Sequence, residues 1–210
     1  MAHMLALGVA CLMFVCIFVL HRRAQRLQQI VGRTQNISPS HSTSNECPAS
    51  WLAIRSVEPE AVRLVLPTEG NFSISPRVNG WVIVTGRDLP HPNDDVDACF
   101  LFLTALSREL GHVQFFHAEK FTHHHAWARL DEGCVTRAYA WAGETVWNQG
   151  AKTMAETGLG MKCSGYGENS VPNEIAESNF EKIPLLAARW GLDPSVLHRA
   201  DGMMGESRFY

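Results

Sequence analysis

Seven side chains able to hold an anion, a metal or an aromatic partner crowd into two short segments of this 210-residue chain. The segments are residues 123–130 (HHHAWARL) and 135–141 (VTRAYAW), with Asp131, Glu132 and Gly133 between them. Alternation with a period of two predicts a β-hairpin, because successive side chains of a strand point to opposite faces. One face holds His124, Ala126, Ala128, Thr136, Ala138 and Ala140, small enough to predict a helix or second sheet packed close. The other holds His123, His125, Trp127, Arg129, Arg137, Tyr139 and Trp141. A three-residue loop sets Trp127 opposite Arg137 and His125 opposite Tyr139, within cross-strand reach.

Trp, Tyr and Arg dominate the energetic centres of protein contacts, so this face reads as a contact surface for a protein partner. Arg and His beside stacking rings also suit a small anion, a nucleotide or a single-stranded base. The plain alternative is an amphipathic sheet face partly covered by the C-terminal segment, which makes the same stacking structural.

In a strand, His123 and His125 point the same way, about 6–7 Å apart, which permits joint ligation of zinc. His117, His112 and Asp131 stand as further ligands, without a diagnostic spacing. Beyond that zinc no cofactor is expected. The chain has no H-E-x-x-H, no paired C-x-x-C, no G-x-S-x-G, no P-loop and no G-x-G-x-x-G. Cys134 beside the hairpin turn lacks the orienting third residue a thiol nucleophile needs.

Residues 183–199 superficially resemble a helix-turn-helix, with Gly191 at the turn and Asp193 and Pro194 opening a second helix. That helix would offer only His198 and Arg199 to phosphates or bases, so a pair of helices completing the core is the expectation. The formal charge of −3, from 18 basic and 21 acidic residues, likewise excludes a broadly basic nucleic-acid binder. An apolar content of 46% excludes a disordered chain.

Other elements must position the hairpin. Residues 51–55 form a short apolar strand, and Ser56 as cap with Pro59 in the first turn predicts a helix. Residues 72–75 alternate as a strand that Pro76 confines to an edge or an end. Asn79-Gly80 marks a turn into a central strand over 81–85. Residues 94–110 predict the longest helix, capped by Asn93. Its apolar stripe is Val96, Cys99, Phe100, Leu103, Leu106 and Leu110, and Gly111 ends it. With a strand over 113–116, the order βαββαβ matches a ferredoxin-like half. The expected fold class is α+β, a mixed or antiparallel sheet with an added hairpin and C-terminal helices. Residues 162–179, rich in Gly, Ser and Asn, read as a long irregular loop.

Residues 4–20 carry no charge and would make a helix of about 25 Å, a little short of a bilayer core. The stems of Arg22 and Arg23 make up the difference. The HRRAQR sequence that follows is a poor cleavage site, which favours an uncleaved anchor over a signal peptide. Arg22, Arg23, Arg26 and Arg33 on the C-terminal flank place the body in the cytoplasm. The expected organisation is a membrane anchor with basic flank (1–31), a polar linker (32–46) and a globular domain (47–210). The expected location is the inner or plasma membrane, crossed once. The expected function is a membrane-anchored cytoplasmic binding or regulatory module, inhibitor- or immunity-like, using the hairpin face and not chemistry. A metal-dependent enzyme with His123 and His125 as ligands, and helix-turn-helix DNA binding, are the alternatives.

Overall fold

A computed structural model describes residues 49–119, 121–168 and 179–192 of the chain. The chain divides into two compact units, Met1–Ser44 and Asn45–Tyr210, and every described residue belongs to the second. The expected anchor and its basic flank lie outside the described residues. Among those described, no helix is long and apolar enough to cross a membrane.

The elements in chain order are β1 (Ser50–Arg55), α1 (Pro59–Val65), β2 (Phe72–Ile74), β3 (Trp81–Gly86) and α2 (Val96–Leu110). Then come β4 (His112–Ala118), β5 (His125–Asp131), β6 (Cys134–Trp141), β7 (Thr145–Gln149), α3 (Met154–Gly158) and α4 (Ile183–Arg189). All seven strands form one antiparallel sheet in the order β2-β3-β1-β4-β5-β6-β7. The fold is α+β. β3 lies between β1 and β2, so those two strands run parallel to each other without touching.

Local chemistry sets the boundaries. Pro59 opens α1, where its missing N–H goes unused. Ser56 does not cap that helix: its backbone is left-handed (φ 61°) and its N–H donates to the Gly80 carbonyl instead. The cap of α2 is Asp95 and not Asn93, with the Asp95 carboxylate accepting from the Ala98 N–H at 2.8 Å. β2 is an edge strand that stops before Pro76, as a proline without a donor requires.

The pleat sorts the core into two layers. On one face Leu52, Ile54, Val82, Val84, Val113, Phe115 and the hairpin alanines pack against α1 and α2 through Val62, Leu66, Cys99, Leu103 and Leu106. On the other, Trp51, Trp81, Phe116, Trp127, Tyr139 and Trp141 pack against Met161, Ile183, Leu186, Ala187, Trp190 and Leu192. The small side chains do admit a close helix, which is α2.

Candidate functional site

The hairpin sorts its side chains as its alternation predicts, and its register differs from the expected one. Asp131 pairs with Cys134, so the turn is the two residues Glu132 (φ 49°) and Gly133 (φ 80°), a conformation that favours glycine at the second position. Ser107 Oγ accepts from the Gly133 N–H at 3.1 Å and donates to the Gly111 carbonyl, tying the turn to the end of α2. A bulge at Arg129/Leu130 then shifts the pairing. Trp127 lies opposite Tyr139, His125 opposite Trp141 and Arg129 opposite Arg137. The slip from expectation is two residues, an even number, so the faces stay sorted.

Five of the seven expected site residues come together under a cover. His125, Trp127, Arg137, Tyr139 and Trp141 are buried, Arg129 is half-buried and His123 is exposed. His125 stacks between Trp127 (5.9 Å between ring centres) and Trp141 (5.5 Å). The face is therefore not an open contact surface in this structure; residues 153–164 and 179–192 close it.

Arg137 is the most heavily committed of the seven. Its Nε donates to Glu156 Oε1 at 2.8 Å, with both side chains almost wholly out of water (2% and 0% exposed). Its terminal nitrogen donates to Asn148 Oδ1 and to the carbonyls of Ala138, Gln149 and Gly150. Glu156 also accepts from Trp127 Nε1 at 2.9 Å. Its second oxygen accepts from the Thr153 N–H and hydroxyl, which closes a capping box on α3. A buried ion pair needs this completeness, because each unfilled valence adds a desolvation cost. Cys163 lies 3.8 Å from Glu156 Oε1, and burial pushes its thiol up to about 11, far from a ready thiolate.

Arg129 faces Asp131 at 3.8 Å on the half-exposed side of the bulge. Tyr139 places its hydroxyl 3.3 Å from Thr145 Oγ1 and accepts from the Ser164 N–H. Burial raises the Tyr139 phenol.

The expected zinc pair is separated by its backbone. His123 precedes β5 in a left-handed conformation (φ 58°), and its carbonyl accepts from His125 Nδ1 at 3.1 Å. His125 Nε2 accepts from Asn179 Nδ2 at 3.1 Å, so both ring nitrogens are engaged. Asn179 cannot turn over, because it grips the Lys162 backbone with both amide atoms: its Oδ1 takes the N–H and its Nδ2 meets the carbonyl. Burial pulls His125 down to about 4. Among the described residues, no three His, Cys, Asp or Glu side chains are arranged to hold a metal ion.

Sequence reasoning missed three participants, Glu156, Asn179 and Ser50, whereas Asn148, which follows the hairpin, reads from the sequence as extending its surface. A signal existed for Glu156, since Thr153-x-x-Glu156 is a capping-box pattern. Ser50 meets His117 Nδ1 at 2.7 Å on the helix side of the sheet, a hydroxyl–imidazole pair. Burial and the neighbouring His91, His124 and His125 bring His117 down to about 3, too weak a base to activate that hydroxyl near neutrality. The helix Ile183–Arg189 exists, but its apolar side faces the sheet, and residues 193–199 of the expected second helix lie outside the described residues.

Fold and site together define an α+β domain whose aromatic sheet face is closed by its own C-terminal segment. No protein-family model, no curated protein and no solved structure matches the chain.

Proposed function

We propose that the protein is a membrane-anchored binding or regulatory module whose recognition surface is the aromatic sheet face together with its C-terminal cover. One observation carries the reading: six aromatic side chains on one face are closed by residues 153–164 and by a short helix that adds Ile183, Leu186, Ala187 and Trp190 to the layer. That i, i+3, i+4, i+7 spacing is how amphipathic helices dock into grooves on other proteins. The groups with most chemical potential, Arg137, Glu156, Tyr139 and His125, are committed to one another and to backbone, which supports a binding role over a catalytic one. Zinc chemistry at His123 and His125, and DNA binding by the C-terminal helices, have less support from the same contacts. Residues 4–20 supply the anchor, and the basic flank sets the body in the cytoplasm. Within the body we read the first six elements as a ferredoxin-like half, supported by the order β2-β3-β1-β4 and by both crossing helices packing on one face.

Two measurements test this on the full chain in cell membranes. Alkaline carbonate extraction should leave the chain in the membrane; release would remove the anchor from the reading. Affinity capture after cross-linking should recover one defined protein, in a yield that changes when Trp190→Ala loosens the cover. The same background proteins in equal yield from both chains would end the binding-module reading.

A further inference from the structure

α4 is a seven-residue helix, too short to be stable alone, and no side chain caps its N-terminus. It is held by its apolar stripe and by a few polar ties. Trp81 Nε1 donates to the Gly191 carbonyl at 2.8 Å, and Gln114 Nε2 donates to the Trp190 carbonyl at 3.1 Å. Lys182 Nζ donates to the Gly160 carbonyl, and Asn179 grips the Lys162 backbone at the start of the segment.

The layer is well packed but incompletely satisfied. Three of its buried polar atoms, Trp51 Nε1, Gln114 Oε1 and Trp190 Nε1, have no hydrogen-bond partner among the described residues. They belong together: Trp51 stacks on Phe116 at 5.2 Å, Phe116 meets Trp190 at 5.7 Å, and Gln114 bonds the Trp190 carbonyl. Buried donors and acceptors are nearly always paired, because an unpaired one has given up water for nothing. Here the α4 segment fills the apolar part of the surface and answers Trp81 Nε1 and Gln114 Nε2, but leaves Trp51 Nε1 and Gln114 Oε1 unpaired among the described residues.

We propose that the face under α4 is a helix-binding groove, that α4 occupies it as an intramolecular stand-in, and that the true occupant is an amphipathic helix of a partner protein. This rests on the binding-module reading and names the partner's chemistry. The helix carries large apolar side chains at i, i+3, i+4 and i+7. It also carries an amide side chain, Asn or Gln, whose carbonyl accepts from Trp51 Nε1 and whose N–H donates to Gln114 Oε1. The partner gains from those two bonds what α4 forgoes, and α4 sets the affinity threshold by competing in cis. A covered groove lowers apparent affinity by the fraction of time it is closed, so weakening α4 must strengthen binding in trans.

The test uses the full chain in detergent micelles and a fluorescent synthetic peptide of residues 180–192 as the probe. A chain carrying Leu186→Ala and Trp190→Ala should bind the peptide at least about tenfold more tightly than the unaltered chain, with sheet amides still protected. An open, folded chain that ignores the peptide overturns the proposal. So does opening that yields only dimers exchanging α4, which would give the groove to a second copy. Should that variant fail to fold, hydrogen exchange on the unaltered chain decides. The α4 amides should exchange at least about a hundredfold faster than those of β4 and β5. Exchange of both in one global opening overturns the proposal. These results do not depend on the membrane capture, so a failure here is separable from a failure of the binding-module reading.

Discussion

The two faces of the sheet solve the same burial problem with different materials. Against α1 and α2 the strands present mainly aliphatic side chains, Phe115, Trp147 and four alanines, and apart from the buried Ser50–His117 pair the layer closes by apolar packing. Against the C-terminal segment they present tryptophans, a tyrosine, a histidine and an arginine, and closure needs an ion pair, a capping box and an amide clamp. Apolar packing is undirected and tolerates small errors, whereas buried polar groups demand particular partners at particular places. A layer of the second kind is specific and costly to damage, and it can be rebuilt around a different occupant.

Breaking the polar layer at its centre should have the largest effect. Glu156→Ala strands the Arg137 charge and the Trp127 N–H, and should lower unfolding free energy by about 3–5 kcal/mol in urea titration. Replacing both partners, Arg137→Met with Glu156→Leu, should cost less than Glu156→Ala alone. Equal or greater loss would mean the pair is not the centre of the layer.

Damage to the helix side should follow cavity rules instead. Leu103→Ala in the buried stripe of α2 should cost about 2–5 kcal/mol, and Ala128→Leu about 1–3 kcal/mol by overpacking, with no dependence on pH.

Acid should separate the histidines from everything else. His117 and His125 have an ordinary value of 6.5 and lie at about 3 and about 4 when folded. Below pH 6.5 the unfolded chain binds protons that the folded rings refuse. Stability is therefore complete above pH 6.5 and is lost as pH falls through it toward 4, by up to about 1.4 kcal/mol per pH unit for each ring. His125→Gln keeps an acceptor for Asn179 and should remove about half that slope in urea titrations across the window. An unchanged slope would assign the acid sensitivity elsewhere.

The smallest effect belongs to the sheet edge. Tyr166 accepts from the Asn148 N–H at 2.7 Å and is largely exposed, so Tyr166→Phe should cost no more than about 1 kcal/mol in the same assay.

Strands and helices were legible wherever a period was long or a punctuating residue unambiguous: the stripe of α2, the Asn79-Gly80 turn, the proline after β2. Caps were less legible, because Asn93, Asp94 and Asp95 are all competent and only the path of the preceding loop selects Asp95. β7 and α3 carry only five residues each, too few for a periodic signal. Glu156 escaped notice because its capping box was readable while its second role is to a residue 19 positions away, Arg137.

The sequence by itself determined which side chains share a face of the hairpin, since alternation is a property of any extended backbone and survives a two-residue slip in register. Only the tertiary structure decided that the aromatic face is covered, that Arg137 is spent on Glu156, and that burial holds His125 neutral with its Nε2 turned to Asn179. Those outcomes depend on which distant segment comes to rest on the sheet, and spacing along a chain does not encode the partner a buried donor finds across it.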